Sequence, residues 1–213
     1  MLLKTSDVKL ITSFLLIFLF TLTPSNGSEI AAQVFKEINL ARTSPARYAD
    51  ILAQRMGGYK GVEGGRAVRE AIRFLKNAEP LPPLIFSEGI SQGALSHVRE
   101  SGPTGARGHR GPDGSMPWDR IAKFGQWAGA SGENISYGRM DARKIVMSLI
   151  VDDGVWGRGH RKNIFSRDYH FTGIATGFHA RYASMCVMDF AGYFDERPSS
   201  GVARADWKFT PRL

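Results

Sequence analysis

Two histidines stand in near copies of one local sequence, "RGHRG" around His109 and "RGHRK" around His160. An imidazole gives a neutral nitrogen to a metal ion, or accepts and donates a proton near neutral pH. Between them lies "SGENISYG", in which Glu133 and Asn134 follow a glycine. A carboxylate and an amide in such a segment suit residues held against a cavity better than residues on a helix face. Asp152 and Asp153 come just before His160, at the C-terminal end of a helical pattern. A helix disfavours carboxylates there by ~0.3–1 kcal/mol each. Arg158, Arg161 or His160 could offset that cost, and either aspartate could point into the same space as His160.

Two imidazoles and two carboxylates suit a divalent metal such as zinc, or acid and base catalysis. No H-E-x-x-H helix, C-x-x-C pair or G-x-S-x-G elbow fixes either chemistry by spacing. A hydrogen-bonded structural role is the competing reading for each loop histidine. A third reading applies to "GVWGRGHRKNIF" (154–165), whose Arg158, Arg161 and Lys162 could grip phosphate.

The elements that must position these groups are mostly helical. Ser28 can cap a helix with Ile30, Val34, Ile38 and Ala41 on one face. Ser44 and Pro45 open a second helix, and Val68, Ile72 and Leu75 mark a third. "EPLPPLIF" must be extended, because its prolines deny a helix its donors. Ser87 caps "EGISQGALSHVRESG", "PWDRIAKFG" reads as a short helix, and Asp141 caps a helix that Gly154 stops. "HFTGIATGF" and "ASMCVMDFAGYF" then read as an antiparallel hairpin joined by "HARY". Helices first and hairpin last, without βαβ alternation, indicate an α+β fold with helices covering an antiparallel sheet.

Residues 1–27 read as a signal peptide. Lys4 and Lys9 precede an apolar run from Leu10 to Leu22, and small residues follow before Ser28. The run fits the ~7–15 residues of a signal core and falls short of the ~20 that a membrane span needs. The mature chain then carries no transmembrane span and is secreted. Its length suits one domain, 28–194, followed by a polar tail, 195–213. Cys186 is the only cysteine, so no intramolecular disulfide can form. It lies in an apolar stretch and reads as a buried thiol.

The net charge of +8 favours anionic neighbours. Arg107, Arg110, Arg158, Arg161 and Lys162, with Trp118, Trp127 and Trp156, raise nucleic acid as a partner. The absence of a recognition helix, RNP-like strand or OB pattern, together with the secretory leader, argues against it.

Four segments in this order and spacing resemble the CAP superfamily, the SCP-like extracellular domain of cysteine-rich secretory proteins, antigen five and pathogenesis-related proteins. They are "GHRGPDGSMPWDRI" (108–121), "GENISYG" (132–138), "DDGVWGRGHRKNIF" (152–165) and "TGIATGF…MCVMDFAGY". The resemblance, closest to a disulfide-poor branch, spans about Val34 to Tyr193. It implies an α-β-α sandwich with a cleft lined by two histidines and two acids. His109, Glu133 and His160 match three of those positions, and Asp152 or Asp153 must stand for the second acid. The expected binding cleft is His109, Glu133, Asn134, Asp153 and His160, with His109 and His160 as ligands for Zn2+. No catalytic residue is assigned. The expected function is a secreted, non-enzymatic binding protein whose ligand is a lipid, a glycan or a protein. One alternative is a hydrolase in which Glu133 or a histidine activates water. The other is a lipid-binding protein drawn to membrane surfaces by its cationic exterior.

Overall fold

Residues 26–196 are described by the computed structural model. The expected signal peptide (1–27) and tail (195–213) lie almost wholly outside the described residues. Helix α1 (Asn26–Thr43) starts ahead of Ser28, and its stripe of Ile30, Val34, Ile38 and Ala41 is buried as the spacing requires. Helices α2 (Pro45–Arg55) and α3 (Gly65–Asn77) follow, and α2 begins at Pro45 with Ser44 at its N-cap. The proline segment runs extended into β1 (Ile85–Phe86). The Ser87 hydroxyl then accepts from the Ile90 N–H at 3.1 Å and opens α4 (Glu88–Ser101).

Helix α5 (Pro117–Ile121) leads into β2 (Gly125–Tyr137), far longer than the short strand-like piece that follows Asn134 in the sequence. Helix α6 (Ala142–Val151) is capped by Asp141, which accepts from the Lys144 N–H. It stops at Asp152, in the left-handed region (φ 54°), two residues before the expected stop at Gly154. The expected turn around His160 is instead a 3-10 turn (Trp156–Arg158) running into helix α7 (Gly159–Ile164). Tertiary bonds make so short a helix: Arg161 and Ile164, three apart on one face, are both buried. Strands β3 (Phe171–His179) and β4 (Ala183–Glu196) form the expected hairpin.

The sheet order is β1-β3-β4-β2. Both partners of β4 are antiparallel to it, whereas β1 pairs in parallel with β3 over two residues. The fold is thus the expected α+β sandwich, with a mixed sheet at its centre. One face carries Ile174, Cys186, Met188 and Phe190 into a core shared with α1, α2, α3 and α6. The other carries Ile135, Ala175, Met185 and Val187 against α4, with Ile121 of α5 packed on Ala191 and Phe194. Close approach of α4 depends on glycine. A Cβ at Gly173 would lie 2.1 Å from the Ser91 backbone nitrogen, a distance no side chain tolerates. Cys186 is buried and unpaired, and burial pushes its thiol pKa up, away from the reactive thiolate.

Arg42 fastens α1 to the segment after α7. It is 2% exposed and donates to the carbonyls of Pro82, Ile164, Ser166 and Tyr169. Burial lowers its pKa to about 10, still far above neutral, so the guanidinium stays charged.

Candidate functional site

Strand alternation sends consecutive side chains of β2 to opposite faces. Glu133 pairs in register with Asp189 of β4 on the α4 and α5 face, while Asn134 pairs with Met188 on the α1 and α6 face. Because β2 is an edge strand, groups from both faces can reach residues 133 and 134 around it.

On the first face, His109 Nδ1 lies 2.7 Å from Glu133 Oε1. A carboxylate only accepts, so the Nδ1 atom carries the hydrogen of this bond and Nε2 points away from it. Arg120, fully buried on α5, holds the other Glu133 oxygen at 2.7 Å. The same guanidinium donates to the carbonyls of His109 and Ser115, each at 3.1 Å, and so fixes the loop as well as the acid. Two more histidines brace the approach to His109. The buried His97 donates from Nε2 to the Gly108 carbonyl at 2.9 Å, and His179 does the same to Ala106. Burial lowers the His97 pKa, which keeps this imidazole neutral.

On the other side of the strand, His160 Nδ1 donates to Asp152 Oδ1 at 2.6 Å. The second Asp152 oxygen accepts from the backbone N–H groups of His160 (2.9 Å) and Arg161 (3.4 Å). These donors at the start of α7 offset the unfavourable place of Asp152 at the end of α6. Asn134 donates to the His160 carbonyl at 3.0 Å and accepts from Asn163, which also reaches the Glu133 carbonyl. Tyr169 donates to the Ser131 carbonyl. Helix α7 and Tyr169 thereby cover the free edge of β2 and tie His160 to it.

Of the expected set, His109 is joined to Glu133 and His160 to Asn134. Asp153 is not part of that arrangement, which corrects its expected place. Its carboxylate accepts from Tyr59 Oη and the N–H groups of Val62 and Glu63, closing the 59–63 loop. The left-handed turn at Asp152 is the physical reason, since it sends successive side chains in different directions and gives His160 to Asp152. Of the groups that could offset the aspartates, His160 does so at Asp152, whereas the side chains of Arg158 and Arg161 pair with acids elsewhere. Arg158 bridges Glu63 and Glu70, and Arg161 binds Glu70. Arg158 touches Asp152 only at its carbonyl.

Arg120, Asn163 and Asp189 were missed. A lone arginine beside Ile121 in "PWDRI" was the available signal for Arg120. Asp189 had one as well, an acid inside the apolar run "SMCVMDFAGYF". It is fully buried, and neither of its oxygens has a hydrogen-bond partner among the described residues. Burial first, and then the Glu133 charge, holds the Asp189 pKa well above the usual carboxylate value, which favours the protonated acid beside Glu133. A native pKa raised above the unfolded one means the folded state binds more protons. This contribution to stability is therefore complete below pH ~4 and lost as pH rises toward the raised value. Asp189→Asn removes that dependence and places a neutral amide beside Glu133. Urea unfolding from pH 4 to 8 is expected to show a flatter profile, with roughly 1–3 kcal/mol of added stability at the alkaline end. An unchanged slope would refute the protonated state.

The two histidines are thus tied to consecutive residues of β2, His109 through its imidazole to Glu133 and His160 through its backbone carbonyl to Asn134, and each has Nδ1 held by a buried carboxylate. Their side chains remain 48% exposed at His109 and 25% exposed at His160. Among the described residues no three histidine, cysteine, aspartate or glutamate side chains form a metal-binding group. Glu133 and Asp152 are occupied by the imidazoles, so the available metal donors are the two Nε2 atoms. Among the described residues no helix is long and apolar enough to cross a membrane.

A comparison with curated proteins finds no match. Among solved structures, the chain is similar to an extracellular protein containing an SCP domain from Bacillus anthracis str. Ames. The identity is 16% and the TM-score 0.47, over 78% of this chain and 41% of that one. An outer surface protein from Borrelia burgdorferi is similar at 16% identity and TM-score 0.43, over 54% of this chain and 78% of the other. This chain thus spans less than half the length of the Bacillus protein. The model of the cysteine-rich secretory protein family, CAP, matches residues 35–190 and contains every residue of the His109 and His160 clusters. On that match across most of its length, the chain belongs to the CAP, or cysteine-rich secretory protein, family.

Proposed function

We propose that the protein is an extracellular, non-enzymatic binding protein that uses the exposed edges of His109 and His160 to hold a divalent metal, Zn2+ first. The observation that carries the reading is that both imidazoles have Nδ1 locked by a buried carboxylate. A carboxylate behind a histidine fixes its tautomer and raises its basicity, an arrangement typical of metal-binding imidazoles. Zn2+ would supply a positive centre for an anionic or carbonyl-bearing ligand. Two protein donors are fewer than the three or four of strong zinc sites, which points to weak, exchangeable binding. The leader-like segment 1–27 and the family support the extracellular assignment.

Calorimetric titration of metal-free protein with Zn2+ tests the reading. Binding is expected for the wild type, and His109→Ala/His160→Ala should weaken it roughly 10–100-fold or more. Equal affinity in the double variant rules the site out. Hydrolysis of ester, peptide or glycan substrates that disappears in a folded Glu133→Gln variant would replace this reading with that of a hydrolase.

A further inference from the structure

Away from β2, a groove of about 700 Å³ runs between α3 and the 154–162 segment. That volume lies in the ~300–1,000 Å³ range of small-molecule sites. Its apolar floor is Phe74, with the Arg161 guanidinium 5.2 Å above the ring centroid and Phe165 edge-on behind it. At its rim Trp156 is 99% exposed, an unusual place for the largest apolar side chain.

The backbone beside Trp156 is set rather than loose. Gly157 has φ 76°, and Arg158 has φ 54° and ψ 52°, a left-handed conformation that a long side chain rarely adopts. Four short bonds hold Arg158 there. Its guanidinium reaches both Glu63 oxygens at 2.6 and 2.8 Å, a Glu70 oxygen at 2.6 Å, and the Asp152 carbonyl at 2.8 Å. Strain kept in place by so many bonds belongs to segments whose position matters for function. Here it presents a flat indole to solvent.

The groove also carries a net positive charge, with Arg66, Arg158, Arg161 and Lys162 against Glu63 and Glu70. Arg158 and Arg161 consume Glu63 and Glu70, while Arg66 on one wall and Lys162 on the other stay exposed and make no salt bridge among the described residues. Glu70 remains 41% exposed, and its carboxylate has acceptor capacity left over for hydroxyl donors. We propose that this groove binds an acidic glycan, a chain of sugar rings bearing carboxylate or sulfate groups. One ring face lies on the Trp156 indole, the anionic groups meet Arg66 and Lys162, and ring hydroxyls donate to Glu70. This site is separate from the imidazoles and does not depend on the metal reading.

The test uses the secreted chain with two probes, a heparin hexasaccharide and a tetragalacturonate, followed by calorimetry and by the Trp156 indole N–H signal in NMR. At least one probe is expected to bind, to shift that signal, and to weaken as salt rises. Trp156→Ala should cut affinity about tenfold or more with an unchanged Tm, since the side chain packs on nothing. Arg66→Gln/Lys162→Gln should cut it several-fold, and His109→Ala should leave it intact. Failure of both probes to bind overturns the proposal. So does equal affinity for neutral cellotetraose, retained affinity in Trp156→Ala, or Trp156-dependent binding to phosphatidylserine vesicles in place of the sugars.

Discussion

Arg120→Met is expected to destabilise the protein by about 3–5 kcal/mol, the usual effect of removing one partner from a buried ion pair. The size follows from what the guanidinium leaves behind. Glu133 would keep a carboxylate that is 1% exposed, next to Asp189, with only the His109 imidazole left as a donor and no guanidinium. The carbonyls of His109 and Ser115 would lose a shared donor at the same time. Methionine fills similar volume, so the loss measures charge and hydrogen bonding more than a cavity. For a domain of this size the shift corresponds to a drop of roughly 6–20 °C in Tm. Arg120→Lys should rescue only part of it, because an ammonium cannot reproduce a planar fork aimed at three acceptors. Chemical unfolding at neutral pH decides the matter, and a loss under 1 kcal/mol would show that Glu133 is held by something else.

The second large effect is expected at Asp152, and it separates structure from chemistry. Asp152→Ala removes the acceptor for two backbone N–H groups and one imidazole, and it places alanine at φ 54°. A loss of about 2–4 kcal/mol is expected from the orphaned donors and the left-handed backbone together. Asp152→Asn is milder for the fold, since asparagine tolerates that backbone and its carbonyl oxygen can still accept from the His160 N–H. Its amide nitrogen, however, would face His160 Nδ1 as a donor. The imidazole should then move its hydrogen to Nε2, the atom proposed to meet the metal. Long-range nitrogen–proton NMR is expected to report that tautomer change, with Zn2+ affinity falling roughly 10–100-fold. An unchanged tautomer in Asp152→Asn would remove the orienting role given to Asp152.

Much of the molecule is legible from local rules. Apolar spacing placed α1, α3, α4 and α6, because a stripe at helical period can be buried on only one side. Ser87 and Asp141 act as N-caps because a short polar side chain before such a stripe finds a free backbone N–H. The hairpin of β3 and β4 is legible for the same reason, with Ile174, Cys186, Met188 and Phe190 alternating toward one core. The length of β2 was not, because its burial switches along the strand and its polar residues are satisfied by partners distant in sequence. Helix α7 was hidden in a glycine-rich turn, since its stability comes from Arg42, Asn134 and Asp152 rather than from its own propensity.

The site divides along the same line. Residue types singled out His109, Glu133, Asn134 and His160 as candidates beside a structural reading, and the family resemblance matched His109, Glu133 and His160 to a shared cleft. Which acid serves which histidine was decided only by tertiary structure. Asp152 and Asp153 are equivalent as letters, yet one left-handed residue turns the first to His160 and the second to the 59–63 loop. Arg120 and Asp189 gained their roles in the same way, through a register that sets Glu133 opposite Asp189 and a helix that brings Arg120 beneath both. Sequence determines which groups can do chemistry, since that is a property of each side chain. Packing decides which are desolvated together, and desolvation makes their charges act on one another.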